Sequence, residues 1–317
     1  MVLPFLPAHR LAQQSEEQRW LIDGLWADEA VGIVGGEPKS CKSFLALDMA
    51  VAVATGQRCL RHFSVPRPGR VLLFAAEDAL HIVRQRLDGI CRAVGATLAD
   101  VDVLVITAPS VRLDLESDRK ALTETIDELQ PRLLILDPFV RLHRVDENVS
   151  GEVAPLLAFL RQLQRRFHLA VVLVHHARKG AGKERAGQAL RGSSEFHAWG
   201  DSNLYLRRRE EQLLLAIEHR AAPSRSGIFL ELRAEQDSLA LALCEAAAVP
   251  QLAQPRALDE QIRTALEGAG APLTVAELRR ICHVRTSTLC ETLAELTAQG
   301  QLQKAERGYC LSSSVHP

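Results

Sequence analysis

The stretch that decides the fold is VGIVGGEPKSCKSFLAL, residues 31–47. An apolar run leads into paired glycines, a short polar loop follows, and Lys42-Ser43 opens a helical pattern. This order resembles the phosphate-loop pattern G-x-x-x-x-G-K-[ST], in which backbone N–H groups at a helix N-terminus surround a phosphate. We therefore expect a strand–loop–helix unit that binds a nucleotide phosphate. The alternative is an ordinary glycine-rich turn between a strand and a helix.

One position of this loop departs from the pattern. Cys41 stands where the second glycine is expected. Because cysteine carries a Cβ, we expect the loop to accept it only if the residue avoids positive φ. Its place at a helix N-terminus also leaves open a reactive thiol with a lowered pKa.

Each part of the loop has an expected task in binding ATP and Mg²⁺. Lys42 is expected to reach the β- and γ-phosphates, and Ser43 to ligate Mg²⁺. The expected nucleotide-contacting residues are Gly36, Glu37, Pro38, Lys39, Ser40, Cys41, Lys42, Ser43 and Phe44.

Short apolar runs alternate with longer amphipathic stretches through the first 245 residues. Continuous Val, Ile and Leu runs indicate strands buried on both faces, and the alternation indicates a mostly parallel α/β sheet. Strands are predicted at 31–34, 70–76, 102–107, 132–137 and 169–176, with helices at 42–55, 79–94, 119–129 and 151–166. An antiparallel extension is predicted from the runs at 203–209, 212–220 and 227–233, whereas 239–249 fits a strand or a helix.

Polar residues follow three of these strands. Asp137 ends the run 133–137, where the carboxyl edge of a parallel sheet binds ligands, and is expected to hold Mg²⁺. Glu77 is expected to activate the attacking water, and Asp78 to cap the next helix. His175 and His176 end the run 169–176, and one of them is expected to sense the γ-phosphate while the other is an interior histidine.

A basic segment follows the two histidines. Residues 178–191 carry five basic side chains and one acidic side chain, a net charge of +4. This segment is either a solvated loop or a contact to the phosphate backbone of single-stranded DNA. The expected DNA-contacting residues here are Arg178, Lys179, Lys183, Arg185 and Arg191.

The C-terminal part has a different organisation. Residues 246–256 carry two prolines and are predicted to link an ATPase domain, 1–245, to a small domain, 257–317. Three helices followed by a hairpin, with predicted helices at 257–268, 274–282 and 286–299, are typical of a winged helix-turn-helix.

This small domain has an expected DNA-contacting surface, for which duplex DNA is the partner considered. The expected residues are Arg279, Arg280, Arg285, Thr286 and Ser287. Residues 256–317 nevertheless hold seven Lys or Arg and seven Asp or Glu, so a contact to protein is the alternative.

Composition limits the class of protein. The chain has 317 residues and a formal net charge of −1, so no global positive field attracts it to nucleic acid or membrane. Seven cysteines without a C-x-x-C pair indicate a reducing compartment. The absence of a long apolar run and of a signal-peptide layout predicts a cytoplasmic protein with no membrane partner.

Together these motifs resemble the RecA-like ATPases of the plasmid replicative-helicase type, the RepA-type hexameric branch of the AAA-25 group. The resemblance covers roughly residues 15–245 and rests on the segments WLIDGL (20–25), GEPKSCKS (36–43), LLFAAED (72–78), LLILDPFVRLHRVDEN (133–148), VVLVHHARKG (171–180) and LRGSSEF (190–196). The expected fold is a RecA-like P-loop core with an added winged helix.

The resemblance implies a homohexameric ring with ATP between subunits. Glu77 is then the catalytic carboxylate, and a neighbouring subunit supplies a basic finger, for which Arg220 is the matching residue. His219 stands where the family has a basic residue. The expected function is a DNA helicase or translocase of a plasmid, phage or mobile element. The alternatives are an ATP-dependent DNA-binding switch or loader with little hydrolysis, and a structural or defence-system ATPase subunit.

Overall fold

The computed structural model describes residues 3, 5–10, 19–176, 195–209, 212–235, 238–244, 258–269, 272–282, 286–305 and 307–312. The chain divides into two compact units, Met1–Val249 and Pro250–Pro317. The predicted linker, residues 246–256, lies outside the described residues.

The first unit alternates strands and helices as predicted. Its strands are β1 Trp20–Ile22, β2 Trp26–Ala27, β3 Val31–Gly36, β4 Val71–Ala75, β5 Val103–Val105, β6 Leu133–Asp137, β7 Ala170–His176, β8 Ser202–Arg209, β9 Gln212–His219, β10 Arg225–Glu235 and β11 Ser238–Leu243. Its α-helices are α1 Lys42–Thr55, α2 Leu80–Ala93, α3 Glu116–Leu129, α4 Ser150–Phe167 and α5 Glu195–Trp199.

Nine of these strands form one sheet in the order β11-β10-β9-β8-β3-β7-β6-β4-β5. All pairs from β8 to β5 are parallel, and β8 through β11 pair antiparallel. The predicted α/β core, a mostly parallel sheet with an antiparallel extension, is confirmed. The ambiguous run at 239–249 supplies a strand, β11, because Leu241 and its neighbours fill the core as they pair with β10.

The two faces of the sheet are covered by different helices. Along a strand, successive side chains point to opposite faces. Leu73, Ile135 and Val172 pack with α1 and α2 on what we call the front face. Leu134 and Leu173 pack with α3, α4 and α5 on the rear face. This alternation decides which polar residues at the strand ends meet the loop before α1.

The second unit has its own apolar core. It contains α6 Leu258–Ala269, α7 Val275–Cys282, α8 Thr286–Ala298 and the antiparallel pair β12 Leu302–Ala305 and β13 Gly308–Leu311. Core side chains include Ile262, Leu278, Leu289, Leu293 and Leu302.

Two local contacts order this unit around the start of α7. Leu273, between α6 and α7, exchanges backbone hydrogen bonds of 3.0 and 2.9 Å with Tyr309 of the hairpin. The Thr274 backbone N–H donates to Glu277 Oε2 over 2.8 Å, and the Glu277 N–H donates back to Thr274 Oγ1 over 3.3 Å, which forms a capping box. The second unit is therefore helix, bridge, helix, helix and hairpin.

Within the described ranges, none of the helices has both the length and the apolar character that crossing a membrane requires.

Candidate active site

The loop between β3 and α1 is closed by hydrogen bonds to one carbonyl. Ser40 Oγ and Lys42 Nζ each donate to the Glu37 carbonyl oxygen over 2.7 Å. At Gly36 an added Cβ would lie 2.3 Å from the Leu206 carbonyl oxygen, so the close approach of β8 requires glycine there. The loop thus forms a tight turn at the carboxyl edge of the sheet, directly before the N-terminus of α1.

Cys41 adopts the conformation that we expected it to avoid. Its φ is 62° and its ψ is 25°, in the left-handed region. The prediction of a negative φ is therefore wrong. The physical reason is that this turn needs a left-handed residue immediately before the helix, whichever side chain occupies the position. A side chain with a Cβ costs roughly 1–2 kcal/mol in that region.

The alternative of a thiol with a lowered pKa is also wrong. Burial raises the pKa of Cys41, although Arg208, Lys42 and Arg86 all act to lower it. The Arg208 guanidinium, near the end of β8, donates a hydrogen bond to this thiol. Cys41 therefore carries a neutral thiol beside a cationic side chain.

Lys42 is a buried ammonium group. Its residue is 5% exposed, and burial lowers its pKa to about 8, against the opposing effects of Asp137, Cys41, Glu77 and Glu37. A desolvated cation surrounded by carboxylates and aimed into a loop of this kind is suited to binding an anion such as a phosphate.

Asp137 and Ser43 meet in front of the sheet. Asp137 ends β6 on the front face, and the Ser43 hydroxyl donates a hydrogen bond to its carboxylate. Burial raises the pKa of Asp137 to about 6; Asp78 and Glu77 add to this effect, and Ser43 and Lys42 oppose it. A carboxylate and a hydroxyl are hard oxygen donors, so this pair fits Mg²⁺.

Glu77 lies just past the end of β4. Ala75, the last residue of β4, is in register with Asp137, so Glu77 follows at the same edge of the sheet. Its side chain is partly exposed, and Arg141 Nε donates to Glu77 Oε1 over 2.9 Å. Arg141 belongs to the short turn after Asp137. The segment that follows β6 therefore supplies the partner of the Glu77 carboxylate.

Asp78 does not cap α2, contrary to expectation. The cap residue is Ala79, and no side-chain hydrogen bond is made there. Asp78 instead pairs with Arg86, eight residues further along and about two helical turns away. The Arg86 guanidinium also lies 5.1 Å from the centre of the Phe44 ring. The Asp78 carboxylate, which we expected at the start of α2, is thus paired with the Arg86 guanidinium.

The two histidines at the end of β7 lie on opposite faces. His176 has the same strand parity as Val172 and Val174, which pack with α1, and it is in register with Gly36. His175 has the parity of Leu173 and is buried on the rear face, where its ring centre is 4.5 Å from that of Phe196. The structure therefore brings His176, and not His175, to the face on which the loop, Ser43 and Asp137 meet.

Arg220 lies at the other edge of the sheet. Its backbone N–H donates to the Asp201 carbonyl oxygen over 2.8 Å. The Asp201 backbone N–H in turn donates to the carbonyl oxygen of Val31, at the start of β3. The guanidinium donates to the Ala198 carbonyl oxygen and lies 3.3 Å from Asp201 Oδ1. Within one chain, Arg220 is thus separated from the loop by the length of β3.

His219 does not replace a finger cation. Burial lowers the pKa of His219, and nearby Arg19 and Arg225 add to the effect, against a hydrogen bond to the Gly24 carbonyl. Its Nδ1 lies 3.0 Å from Ser202 Oγ, and its ring packs edge-on against Trp20.

Several predicted DNA-contacting residues lie outside the described residues. These are Arg178, Lys179, Lys183, Arg185, Arg191 and Arg285. Arg279 and Arg280 are exposed in the last turn of α7, and Thr286 and Ser287 begin α8.

Three arginines of the site were missed by sequence reasoning. Arg208 ends up at the loop because β8 runs parallel to β3, whereas we assigned that run only to the antiparallel extension. Arg141 was present in the D-P-x-x-R-x-H segment without a role. Arg86 had no sequence signal that we could use, because its contacts depend on how α2 packs.

Comparison with known families agrees with this geometry. A family model described as an AAA domain, AAA_25, matches residues 1–182, which is more than half of the chain. The matched range contains the phosphate loop, Glu77, Asp137 and both histidines. A loop that presents a buried lysine, followed by a hydroxyl and a carboxylate suited to Mg²⁺, is what nucleotide binding in this family requires. The chain therefore belongs to the AAA-domain family of P-loop nucleotide-binding ATPases.

Proposed function

We propose that this protein is an ATP-hydrolysing, DNA-associated motor that works as a ring of subunits, like the RepA-type helicases that its motifs resemble. The observation that carries the proposal is the meeting of Lys42, Ser43, Asp137 and Glu77 at one edge of the sheet. These four residues supply a cation, two metal ligands and a carboxylate for water.

Each residue has one task in the proposed reaction. Lys42 binds the β- and γ-phosphates, and Ser43 and Asp137 hold Mg²⁺. Bound Mg²⁺ supplies a Lewis acid that neutralises charge on phosphate oxygens. Glu77 orients the attacking water and accepts its proton, and Arg141 fixes the direction of this carboxylate. His176, on the front face, is the residue that senses the γ-phosphate.

The finger function of Arg220 requires a second subunit. Its guanidinium side chain is 54% exposed, and it lies at the edge of the sheet opposite the loop of its own chain. We propose that it reaches the ATP of a neighbouring subunit, where an added cation stabilises the transferring phosphoryl group. This separation supports a ring of subunits, which the resemblance implies is a hexamer.

DNA is the proposed partner of both units. The basic segment 178–191 starts two residues after His176, so a DNA contact there lies close in the chain to the ATP site. In the second unit, the order of helices and hairpin, together with the Leu273–Tyr309 bridge, supports a winged helix. Its proposed contacts to DNA phosphates come from Arg279, Arg280, Arg285, Thr286 and Ser287.

The test is ATP hydrolysis with and without single-stranded DNA. We expect Lys42→Ala to abolish ATP binding, and Glu77→Gln to retain binding but lower kcat by about 10²-fold or more. Glu124→Gln, which changes an exposed carboxylate paired with Lys120 on α3, is the matched control. The proposal is lost if wild-type protein does not hydrolyse ATP, or if Lys42→Ala hydrolyses it at the wild-type rate.

A second candidate function is an ATP-dependent switch or loader with slow hydrolysis. Two observations favour it: the left-handed backbone of Cys41 and the lowered pKa of His219. Under this candidate, Cys41→Gly hydrolyses ATP far faster than wild type, and ATP binding changes the oligomer mass without strand unwinding. Robust unwinding by the wild-type protein excludes the switch.

The role of the second unit is tested by salt. We expect the DNA affinity of the full chain to fall with log[salt], and Arg279→Ala/Arg280→Ala to reduce that slope by about 2, roughly one unit per lost phosphate contact. An unchanged slope favours a protein-binding role for this unit, as in the structural or defence-system alternative.

A further inference from the structure

A buried cluster of polar and aromatic side chains lies on the rear face at the end of β7. We call it the rear cluster; its members are Phe139, His143, Glu147, His175 and Phe196. Glu147 Oε1 is 3.4 Å from His143 Nε2, and Glu147 Oε2 is 3.4 Å from His175 Nε2. The Phe139 ring packs edge-on against Phe196 at 5.5 Å. One carboxylate thus bridges two imidazoles inside an aromatic shell.

The bridge is shielded from water. The side chains of His143 and His175 are each 2% exposed, and that of Glu147 is 14% exposed. Burial raises the pKa of Glu147, but the two imidazoles lower it by more, so this pKa lies below its ordinary value. Glu147 is therefore ionised at neutral pH, and its negative charge lies 3.4 Å from each imidazole. Its neutralisation removes the charge that faces both buried rings.

The cluster connects two strands of the active site. His143 and Glu147 belong to the segment that follows Asp137, whereas His175 immediately precedes His176 on β7. Because neighbouring residues of a strand point to opposite faces, the His175 ring is fixed at the rear and the His176 ring at the front by the same short piece of backbone. A shift of His175 therefore shifts His176.

A metal-binding role for the cluster has no support. In the part of the chain that the structure describes, no group of three or more His, Cys, Asp and Glu residues has the arrangement of a metal site. The observed contacts of the Glu147 carboxylate to the two rings are ion-pair distances of 3.4 Å.

We propose that Glu147 is a positioning residue for ATP hydrolysis, which holds His175 at the rear of β7 and thereby sets the position of His176 at the front. The inference rests on the proposed function, because it needs His176 to act on ATP. It assigns to Glu147 alone, within the D-E-N segment of residues 146–148, a task in the reaction without contact to the nucleotide.

The test is a double-mutant cycle on ATP hydrolysis by the full chain. Glu147→Gln keeps the shape of the side chain and removes its charge. We expect it to lower kcat about tenfold while KM for ATP changes less than twofold, because misplacement of a reacting group affects the rate more than binding. In a His176→Ala background, the same change is expected to lower kcat no further.

Two controls separate positioning from general damage. Asp146→Asn neutralises the neighbouring carboxylate, which accepts hydrogen bonds from Asn148 and is outside the cluster, and is expected to leave kcat unchanged. If Glu147→Gln does not fold, His143→Asn takes its place in the cycle, with a smaller loss and the same dependence on His176.

The outcomes distinguish this inference from the proposed function. Hydrolysis that does not depend on Lys42 overturns both. Lys42-dependent hydrolysis with a wild-type kcat in Glu147→Gln overturns the positioning role alone. So does an equal fractional loss of kcat with and without His176, because Glu147 then acts by another route.

Discussion

Arg141 Nε donates a 2.9 Å hydrogen bond to Glu77 Oε1, which joins the turn after β6 to the turn after β4. This contact gives the proposed catalytic carboxylate a fixed direction, and it comes from the segment that also carries Asp137. We expect Arg141→Ala to lower kcat for ATP hydrolysis by about tenfold, because an unoriented carboxylate spends less time in the reactive geometry. Steady-state ATPase assays measure the change.

The same substitution is expected to leave stability almost unchanged. The side chains of Arg141 and Glu77 are 61% and 43% exposed, and pairs of this kind contribute about 0–1 kcal/mol. Arg92→Ala, which breaks a comparably exposed pair with Asp88, is the control and should not affect kcat. A loss of kcat that persists unchanged in a Glu77→Gln background contradicts the orienting role.

Cys41 gives a prediction about backbone strain. Its φ of 62° is a conformation in which a Cβ is unfavourable and glycine is not. We expect Cys41→Gly to be more stable than Cys41→Ala by about 1 kcal/mol, because both lose the thiol but only alanine keeps the strain. Urea unfolding followed by tryptophan fluorescence reports on this unit, since Trp20, Trp26 and Trp199 all lie in it. Equal stability of the two variants argues against strain at this position.

Much of the site followed from the sequence because parallel strands end at one edge. The positions of Lys42, Glu77 and Asp137 needed only the order of strands and the phosphate-loop pattern. Strand parity also separates His175 from His176, but only when the face covered by α1 is known, and that depends on tertiary packing. The conformation of Cys41 is set by loop closure, and a residue pattern with one mismatch did not reveal it.

Contacts between distant segments were the least predictable. Arg208 meets Cys41 because β8 lies beside β3, although about 165 residues separate them, and no local pattern encodes that neighbour. Nearer in sequence, Asp78 is of a residue type favoured at a helix N-cap, but its carboxylate pairs with Arg86 instead. The preference of Asp for a helix N-cap therefore did not decide its contact. The contact with Arg86 depends on the conformation of the turn before α2.

Gly32 marks a close approach in the middle of the sheet. An added Cβ there would lie 1.7 Å from the Ser202 carbonyl oxygen, which is backbone and has no flexible end to move. We expect Gly32→Ala to lower the free energy of unfolding by about 3 kcal/mol or more, because β8 must separate from β3. Gly151→Ala, in α4 where an added Cβ meets nothing within 4 Å, is the control and should not lower the free energy of unfolding. A Gly32→Ala variant as stable as this control would show that the strands are not so closely apposed.

Asp48 makes the first unit sensitive to pH. This carboxyl is buried in α1, where it accepts a 2.6 Å hydrogen bond from the Leu60 backbone N–H and lies near Cys59 and Arg61. Burial raises the pKa of Asp48 to about 6. The folded state therefore binds a proton more tightly than the unfolded chain, whose Asp pKa is about 3.9. It follows that the contribution of this group to stability falls as pH rises from about 4 to about 6 and stays low above that range.

Asp48→Asn keeps an acceptor for Leu60 and cannot ionise. Linkage predicts that the stability of this variant relative to wild type increases by about 1.4 kcal/mol between pH 5 and pH 8, since only the wild type acquires a buried charge. The difference between the two proteins is measured by urea unfolding at each pH, so that the titration of all other groups cancels. Asp88→Asn, at an exposed position paired with Arg92 on α2, should show no such trend. The prediction is contradicted if the relative stability is constant with pH, or if it changes in favour of the wild type as pH rises. The charge of the Asp48 carboxylate is then neutralised inside the fold by its neighbouring cation, Arg61.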